Sequence, residues 1–468
     1  MPLSCFATAA RSAIPIVPLS REALETWLSG APQATRRWTE ATGFAAAHGD
    51  ICLLADAEGG LERVLLGLGG AAGPDEPVIW AFGGLPGRLP AGRYGIDEDA
   101  GFDDFTAAAI GWGLGAYRFD RYRKSGGKRP ALVLPKAADA TAVDSAIAAT
   151  WLVRDLINTP ASDMGPAELA RAATDLAKAY KARVRVVSGA NLSRDYPAVS
   201  AVGAGSPRAP RVVDIRWEGS GARNAAKVVL VGKGVCFDTG GLDIKPAAGM
   251  KFMKKDMGGA AQVLGLARMI MAAKLPLKLR VLVGAVENAV SGEAMRPLDV
   301  IRTRSGKTVE VGHTDAEGRL VLCDLLTDAA ADKPDLIVDC ATLTGAARVA
   351  LGTDLPAMFT NDSAVAAALL EQGSRADDPL WRLPLWSPYR RQLESRVADL
   401  SNVGSAPQGG AITAALFLQE FVPDGIAWVH LDLMAWNDSS RPGRPEGGEA
   451  MGMRALYGLI ANEISARR

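Results

Sequence analysis

Three near-continuous apolar runs in the second half of the chain limit its fold more than any other pattern. They are rich in β-branched residues and span 227–235, 279–286 and 335–343. A near-continuous run, unlike an alternating one, is typical of a strand that is buried on both faces of a parallel sheet. Apolar helical stretches at 258–274 and 318–332 separate the runs. This alternation predicts an α/β fold with a mostly parallel central sheet flanked by helices.

The first 150 residues predict a smaller α/β unit. Short apolar runs bounded by Gly, Pro or charge predict strands at 64–70, 77–84 and 131–136. Ala-rich apolar stretches at 105–119 and 137–156 predict helices. Two prolines and several polar turn residues follow this second helix and place a domain boundary near residue 160. We therefore expect an N-terminal α/β domain over 1–160 and a larger catalytic domain over 161–468.

Composition excludes several classes of protein. The 468 residues include 52 basic and 52 acidic side chains, so the balance lacks the basic excess of a nucleic-acid-binding surface. The five cysteines form no CxxC pair and predict free thiols in a reducing compartment. No apolar run approaches the roughly 20 residues of a membrane helix, and the start lacks the basic residue of a secretory signal. We expect a cytoplasmic protein without a membrane or nucleic-acid partner.

Charged side chains lie just where the predicted strands end. Such side chains at the carboxyl ends of strands in an open α/β sheet are typical of a functional site. Charge at these buried positions is costly unless it is paired or bound to metal. One such loop alone is typical of a turn or a helix cap, but three together favour a site. The charged residues of the three loops are Lys233, Asp238, Lys245, Asp256, Asp315, Glu317 and Arg319.

The four carboxylates among these residues predict a metal centre. They would repel one another at one sheet edge unless divalent cations neutralised them. Oxygen donors without histidine suit Mg²⁺ or Mn²⁺ and, less well, Zn²⁺. Four carboxylates can hold two ions about 3.5–4 Å apart if some of them bridge. Lys233 and Lys245 could each serve as an amine ligand or an electrophile, and Arg319 suits an oxyanion or a carboxylate.

The loops that carry these residues resemble the leucyl aminopeptidase family, the dimetal cytosol aminopeptidases. The motif TDAEGR at 314–319 is close to a signature of that family. The resemblance is faint over the first 150 residues. The matching segments are 231–246, 253–261, 313–322 and 341–347, with weaker matches at 154–170 and 409–421.

This resemblance implies a metal-dependent aminopeptidase in which a metal-bridging hydroxide attacks the first peptide bond. Two ions per subunit, Mn²⁺ or Zn²⁺, are implied, with a homohexamer as the assembly. Lys233 and Asp256 would bind one ion, Asp238 and Glu317 would bridge, and Asp315 would bind the other ion. Lys245 would polarise the scissile carbonyl, and Arg319 would hold a bicarbonate that acts as general base. The substrate pocket would be lined by Met253, Thr342, Leu343 and Gly345.

The sequence departs from the family pattern at two places. His313 stands where the family usually has Asn, and it could tune the neighbouring ligands or point away from them. Met434 and Trp436 are bulkier than the family's residues. If they reach the pocket, they reshape it and put a preference for leucine in doubt; otherwise they only repack the edge of the core. Two alternatives stay open: a hexameric DNA-binding member with secondary or no peptidase activity, and a dimetal hydrolase acting on phosphate esters.

Overall fold

The computed structural model describes residues 4–7, 13–70, 77–123, 126–221 and 225–465. Its contacts divide the chain into two compact units. The first unit runs to Trp151 and includes Asp438–Glu446, and the second comprises Leu152–Asn437 and the residues from Gly447 onward. The scheme of two consecutive domains, 1–160 and 161–468, stays a prediction, because these contacts group Asp438–Glu446 with the first unit.

The first unit contains a six-stranded sheet with the strand order β1-β6-β5-β2-β4-β3. All neighbours in this sheet are parallel except β3 and β4, which form an antiparallel pair. The strands are β1 (Phe6–Ala7), β2 (Ile14–Ser20), β3 (Ile51–Ala55), β4 (Leu61–Gly69), β5 (Arg93–Ile96) and β6 (Ala131–Val133). The helices are α1 (Arg21–Gly30), α2 (Gln33–Ala41), α3 (Val78–Gly83), α4 (Phe105–Gly115) and α5 (Ala140–Asn158), of which α5 crosses the division between the units.

The strand predicted at 77–84 is wrong, because these residues form helix α3. Pro77 stands directly before the helix, a position where its fixed backbone is well tolerated. Ile79 of α3 lies against Gly111 of α4, where an added Cβ would come within 2.0 Å of the Ile79 carbonyl oxygen. A short helix buried this closely shows the same apolar run as a buried strand, so periodicity could not distinguish them.

The second unit is built on an eight-stranded sheet with the order β15-β14-β17-β13-β9-β10-β8-β7. Its four central strands, β17, β13, β9 and β10, are mutually parallel. On either side of them, β14 is antiparallel to β17 and β8 is antiparallel to β10. The three apolar runs form β9, β10 and β13, as predicted. The strands of this unit are β7 (Arg183–Ser188), β8 (Arg211–Glu218), β9 (Lys227–Asp238), β10 (Lys278–Asn288), β11 (Val300–Arg302), β12 (Thr308–Glu310), β13 (Leu336–Ala341), β14 (Ala357–Thr360), β15 (Trp381–Arg382), β16 (Leu400–Ser401), β17 (Ala427–Asp432), β18 (Trp436–Asn437) and β19 (Gly447–Gly448).

Helices pack on this sheet, and those predicted at 258–274 and 318–332 are confirmed as α10 and α11. Several begin at side-chain caps: Thr344 accepts a hydrogen bond from Ala347 N at 3.1 Å, and Asp362 caps α13. The helices are α6 (Pro166–Ala179), α7 (Ala190–Asp195), α8 (Pro197–Gly203), α9 (Ala247–Met250), α10 (Gly258–Ala272), α11 (Gly318–Ala331), α12 (Gly345–Leu351), α13 (Ser363–Arg375), α14 (Gly410–Gln419) and α15 (Met453–Leu459).

One hydrophobic cluster in the core of the second unit lies between the sheet and helices α8, α11 and α14. Its strand residues are almost all buried, which agrees with a sheet covered on both faces. The α/β fold class, with a smaller unit followed by a larger one built on a mostly parallel sheet, is therefore confirmed. All five cysteines are buried free thiols, as predicted. Within the described ranges, no helix is both long enough and apolar enough to span a membrane.

Candidate active site

The carboxyl edge of the eight-stranded sheet brings the predicted charged residues together. Strand β9 carries Lys233 in its interior and ends at Asp238. Asp256 lies in a 3₁₀ helix, Met253–Met257, that leads into α10, and Glu317 precedes the first turn of α11. Oxygen atoms of Asp238, Asp315 and Glu317 lie within 4.8 Å of one another. Three separate loops therefore contribute to one cluster, as the sequence predicted.

Lys233 is the buried cation of this cluster. Its Nζ lies 3.0 Å from Asp256 Oδ1 and 2.8 Å from Glu317 Oε1, and it donates a hydrogen bond to Thr342 O at 2.8 Å. Burial alone would lower the pKa of this ammonium, but the carboxylates of Asp256, Glu317 and Asp238 outweigh burial and raise it. Without a metal ion, Lys233 is therefore the charged partner of the acids.

Gly318 allows α11 to approach Lys233. A Cβ at position 318 would lie 2.6 Å from Lys233 Cε and 2.8 Å from its Nζ. Any side chain there would displace the lysine, so the glycine in the TDAEGR motif has a direct steric reason. It keeps Lys233 beside Glu317.

Lys245 makes a second set of ion pairs on the more exposed side of the cluster. Its Nζ lies 2.8 Å from Asp238 Oδ2 and also contacts Asp315 Oδ1. The other oxygen of Asp238 accepts hydrogen bonds from Gly240 N and Asn288 Nδ2, both at 2.9 Å. Burial would raise the pKa of Asp238, but Lys245 and then Lys233 outweigh burial and lower it. Asp238 is thus held as an anion.

The pKa values of the other three acids are raised, in contrast to that of Asp238. Burial, followed by repulsion from Asp238, raises the pKa of Asp315 to about 6 and that of Glu317 to about 8. Burial also raises the pKa of Asp256, although Lys233 opposes it. Asp256 Oδ2 is buried and has no hydrogen-bond partner among the described atoms. A buried, unpartnered carboxylate oxygen among crowded acids fits a divalent cation.

Arg319 is buried in the first turn of α11, two residues after Glu317. Its Nη1 donates a hydrogen bond to Asn402 O, whereas its Nε has no partner among the described atoms. Burial lowers the pKa of the guanidinium to about 10, against the opposing charges of Glu317 and Asp432. The free Nε–H gives this side chain an unused donor.

The loop after β13 is fixed by two buried acids. Thr342 Oγ1 donates a hydrogen bond to Asp256 Oδ1 at 2.6 Å. Asp432 Oδ1 accepts from Leu343 N at 3.0 Å and Thr344 N at 3.1 Å, and its Oδ2 accepts from Thr344 Oγ1 at 2.6 Å. Asp432 was not among the predicted site residues. Its position at the end of β17, which pairs with β13, was the signal that could have found it.

The remaining predicted pocket residues lie in two segments. Gly345 is exposed at the start of α12, and Met253 is partly buried in the 3₁₀ helix. Trp436 is 6% exposed, and its ring centroid lies 5.2 Å from that of Phe252. Trp436 therefore packs beside the segment that carries Met253. Met434 is partly buried two residues earlier.

His313 lies at the margin of the cluster. Its side chain is 51% exposed, and its Nδ1 accepts a hydrogen bond from Asp315 N at 3.1 Å. The same atom lies 3.5 Å from Asp243 Oδ2. His313 thus orients the backbone of Asp315 and does not enter the set of clustered acids.

Lys255 is a buried lysine that the sequence analysis did not single out. It is 2% exposed, and it directly precedes Asp256. Burial, and then the positive charge of Arg348, lower its pKa to about 7. In the sequence it is one of two adjacent lysines, and nothing local indicates which of them is buried.

The fold and this donor set define a class of protein: an α/β protein with a cluster of carboxylates, able to hold a metal ion, at the carboxyl edge of its sheet. A model of the cytosol aminopeptidase family, catalytic domain, matches residues 151–457. A model of the M17 aminopeptidase N-terminal domain matches residues 14–135. The chain belongs to the cytosol aminopeptidase family, a family of metal-dependent exopeptidases. The resemblance noted in the sequence is confirmed.

Individual relatives cover most of the chain. It is 38% identical over 475 residues to a probable cytosol aminopeptidase from Rhodopseudomonas palustris, covering 96% of this chain and 94% of the relative. The crystal structure of cytosol aminopeptidase from Coxiella burnetii matches with 47% identity and a TM-score of 0.93, covering 99% of this chain and 100% of that one. The bottromycin maturation enzyme BotP, in complex with Mn, matches with 35% identity and a TM-score of 0.87, covering 97% and 99%.

Proposed function

We propose that this protein removes the N-terminal amino acid from peptides or dipeptides, using two divalent metal ions. The observation that carries the proposal is the cluster of Asp238, Asp315 and Glu317. Lys233 connects this cluster to Asp256, whose buried Oδ2 has no hydrogen-bond partner among the described atoms. Membership of a metal-dependent exopeptidase family supports the reaction class. The complex of the similar enzyme BotP with Mn supports manganese as one suitable ion, with zinc as the other candidate.

The chain's own residues divide between the two ions. Lys233 and Asp256, whose side chains are in contact, would hold one ion. Asp238 and Glu317 would bridge, and Asp315, the most exposed of the acids, would hold the other ion. Lys233 must release a proton from Nζ before it can offer a lone pair, so metal uptake by this site is coupled to pH. When bound, the two ions supply Lewis acidity and an activated water nucleophile.

Lys245 and Arg319 supply the positive charge of the reaction. Lys245 lies between Asp238 and Asp315, where its ammonium would polarise the scissile carbonyl and stabilise the developing oxyanion. Arg319 has an unused Nε–H, which would hold a bicarbonate ion as general base. Met253, Thr342, Leu343 and Gly345 would line the pocket for the substrate's first residue.

We further propose a cytoplasmic homohexamer in which the N-terminal domain serves assembly. Relatives named cytosol aminopeptidases support the location, and the hexamer rests on the resemblance alone. Native mass spectrometry of the purified protein should show six chains. A fully active monomer would contradict this assembly.

The test is a release assay on aminoacyl-amides and dipeptides after exhaustive chelation, with and without added Mn²⁺ or Zn²⁺. Metal-dependent release of the first residue is expected. Activity that survives chelation would refute the metal assignment. Two parallel measurements address the alternatives: hydrolysis of p-nitrophenyl phosphate would favour the phosphatase, and salt-sensitive binding to duplex DNA would favour the DNA-binding protein.

A further inference from the structure

We propose that the first unit docks against the first unit of a second copy of this chain through two segments of opposite charge. The basic segment comprises residues 118–123, 128 and 129, and the acidic segment comprises residues 97–104. This inference rests on the proposed homohexamer and not on the proposed reaction. It names residues that would join two of the copies.

The basic segment carries five cationic side chains and a single acid. The acid, Asp120, lies 2.6 Å from Arg129. Arg118, Arg123 and Lys128 make no ion pair or side-chain hydrogen bond within the described part of the chain. These three positive charges are therefore available to a partner. All five cations are exposed, and they are Arg118, Arg121, Arg123, Lys128 and Arg129.

The acidic segment has the complementary charge, with five acids and no lysine or arginine among its eight residues. None of these acids forms an ion pair with another described residue. Asp97 and Asp104 only accept backbone hydrogen bonds, from Asp99 N and Ala107 N, both at 3.1 Å. Because like charges this close repel one another, cations from a partner would stabilise the segment. The acids are Asp97, Glu98, Asp99, Asp103 and Asp104.

The two segments lie at opposite ends of helix α4. Asp104 caps its N-terminus, and Arg118 follows three residues after Gly115, where the helix ends. The 11 residues of α4 span about 16 Å, so the helix holds the segments apart within one chain. The helix macrodipole favours charges of these signs, but only within the first and last turns. It accounts for Asp104 and not for the more distant charges.

A second copy of this chain fits both segments at once. When two α4 helices run antiparallel about a twofold axis, each acidic segment meets the basic segment of the other copy. A basic segment alone would favour any polyanion, whereas a matched pair of segments favours the protein's own surface. Tyr122 is 55% exposed, and Arg121 lies 5.7 Å from its ring centroid. Tyrosine and arginine are both enriched in protein interfaces.

The test is charge reversal, followed by sedimentation velocity of the full-length protein over a range of concentrations. The dissociation constant of the contact should rise at least about 100-fold in each variant, since like charges juxtaposed across an interface cost that factor or more. Each variant should therefore form a smaller assembly than the wild type. The basic variant is Arg118→Glu/Arg121→Glu/Arg123→Glu, and the acidic variant is Glu98→Lys/Asp99→Lys/Asp103→Lys.

An equimolar mixture of the basic and acidic variants should restore the wild-type assembly, because each reversed segment then meets its complement. Arg37→Glu/Lys136→Glu/Lys178→Glu is the matched control. It reverses three exposed cations outside both segments, changes the net charge as the basic variant does, and should assemble like the wild type.

A measurement on the wild type keeps the proposal testable if a variant fails to fold. Raising the salt concentration from about 0.1 M to about 1 M shortens the screening length from about 10 Å to about 3 Å. The wild-type contact should then weaken at least about tenfold. Assembly that is unchanged by this salt, or unchanged in both variants, would overturn the contact.

The remaining results separate this contact from the other proposals. A wild-type protein that is monomeric at every concentration would overturn both the contact and the hexamer. A basic variant that assembles normally but loses salt-sensitive binding to a duplex oligonucleotide would assign the basic segment to a polyanion and overturn the contact. If the contact behaves as expected but leucine p-nitroanilide is not cleaved, the contact is supported and only the proposed reaction is refuted.

Discussion

Glu449→Gln should destabilise the second unit by about 3–5 kcal/mol, because Glu449 forms a buried ion pair with Arg154. The two side chains are 4% and 1% exposed. Oε1 accepts hydrogen bonds from Arg154 Nε at 3.1 Å and Ala450 N at 2.9 Å. Oε2 accepts from Arg154 Nη2 at 3.0 Å and Asn437 Nδ2 at 2.7 Å.

The magnitude follows from this geometry. Glutamine has the same shape, but its NH₂ group replaces one oxygen and cannot accept a hydrogen bond. Whichever way the amide is oriented, two of the four donors lose their acceptor. Each buried donor left unsatisfied costs about 1–3 kcal/mol, so the sum is about 2–6 kcal/mol. Arg154 also loses its counter-charge, so we expect a destabilisation of about 3–5 kcal/mol, the range for a buried ion pair that has lost one partner.

Urea unfolding followed by tryptophan fluorescence would measure the change. Glu371→Gln is the matched control, because Glu371 pairs with Arg375 on the exposed face of α13 and should cost less than about 1 kcal/mol. The double variant Arg154→Met/Glu449→Leu should be more stable than Glu449→Gln, since it buries no unpaired charge. A Glu449→Gln protein within about 1 kcal/mol of the wild type would refute the reasoning.

Three further predictions concern the metal cluster. In steady-state kinetics, Lys245→Met should lower kcat about 10²–10³-fold and change KM much less. A change in KM alone would show that Lys245 does not stabilise the transition state. Glu317→Gln should lower the bound metal measured by elemental analysis, and unchanged metal content would contradict its role as a bridging ligand. Burial and the charge of Asp238 raise the pKa of Glu317 to about 8 in the metal-free protein. Between about pH 5 and 8 the folded protein therefore holds a proton that the unfolded chain has lost, and the free energy of unfolding should fall as pH rises through this range. Melting temperatures of the metal-free protein should show this fall, and it should be smaller in Glu317→Gln.

The edge of the sheet at which the acids cluster could be predicted from the sequence, because it follows from patterns within single segments of the chain. Near-continuous apolar runs predicted buried parallel strands, and parallel strands place their carboxyl ends at one edge. Asp238, at the end of β9, could therefore be expected at this edge without knowledge of the tertiary packing. Lys233 is less local, since it lies in the strand interior and reaches the cluster only because Gly318 leaves room for it.

Other features depend on contacts between distant segments and could not be predicted. Helix α3 is defined by packing against Gly111, not by its own periodicity. The role of Asp432 appears only when β17 pairs with β13 and brings it to the 342–345 loop. Lys254 and Lys255 are adjacent and chemically identical, yet Lys254 reaches Asn158 O at 2.7 Å and Lys255 turns inward.

The segment Asp438–Glu446 affects how this chain can be made. Gly443 N donates a hydrogen bond to Gly83 O at 3.0 Å, and a Cβ on Gly83 would lie 2.8 Å from Gly443 N. During synthesis on the ribosome, domains generally fold as units from the N-terminus. Here the first unit lacks one of its packed segments until residue 446 has been synthesised, after residues 152–437 of the second unit. A gene fragment that ends near residue 151 would therefore encode an incomplete unit.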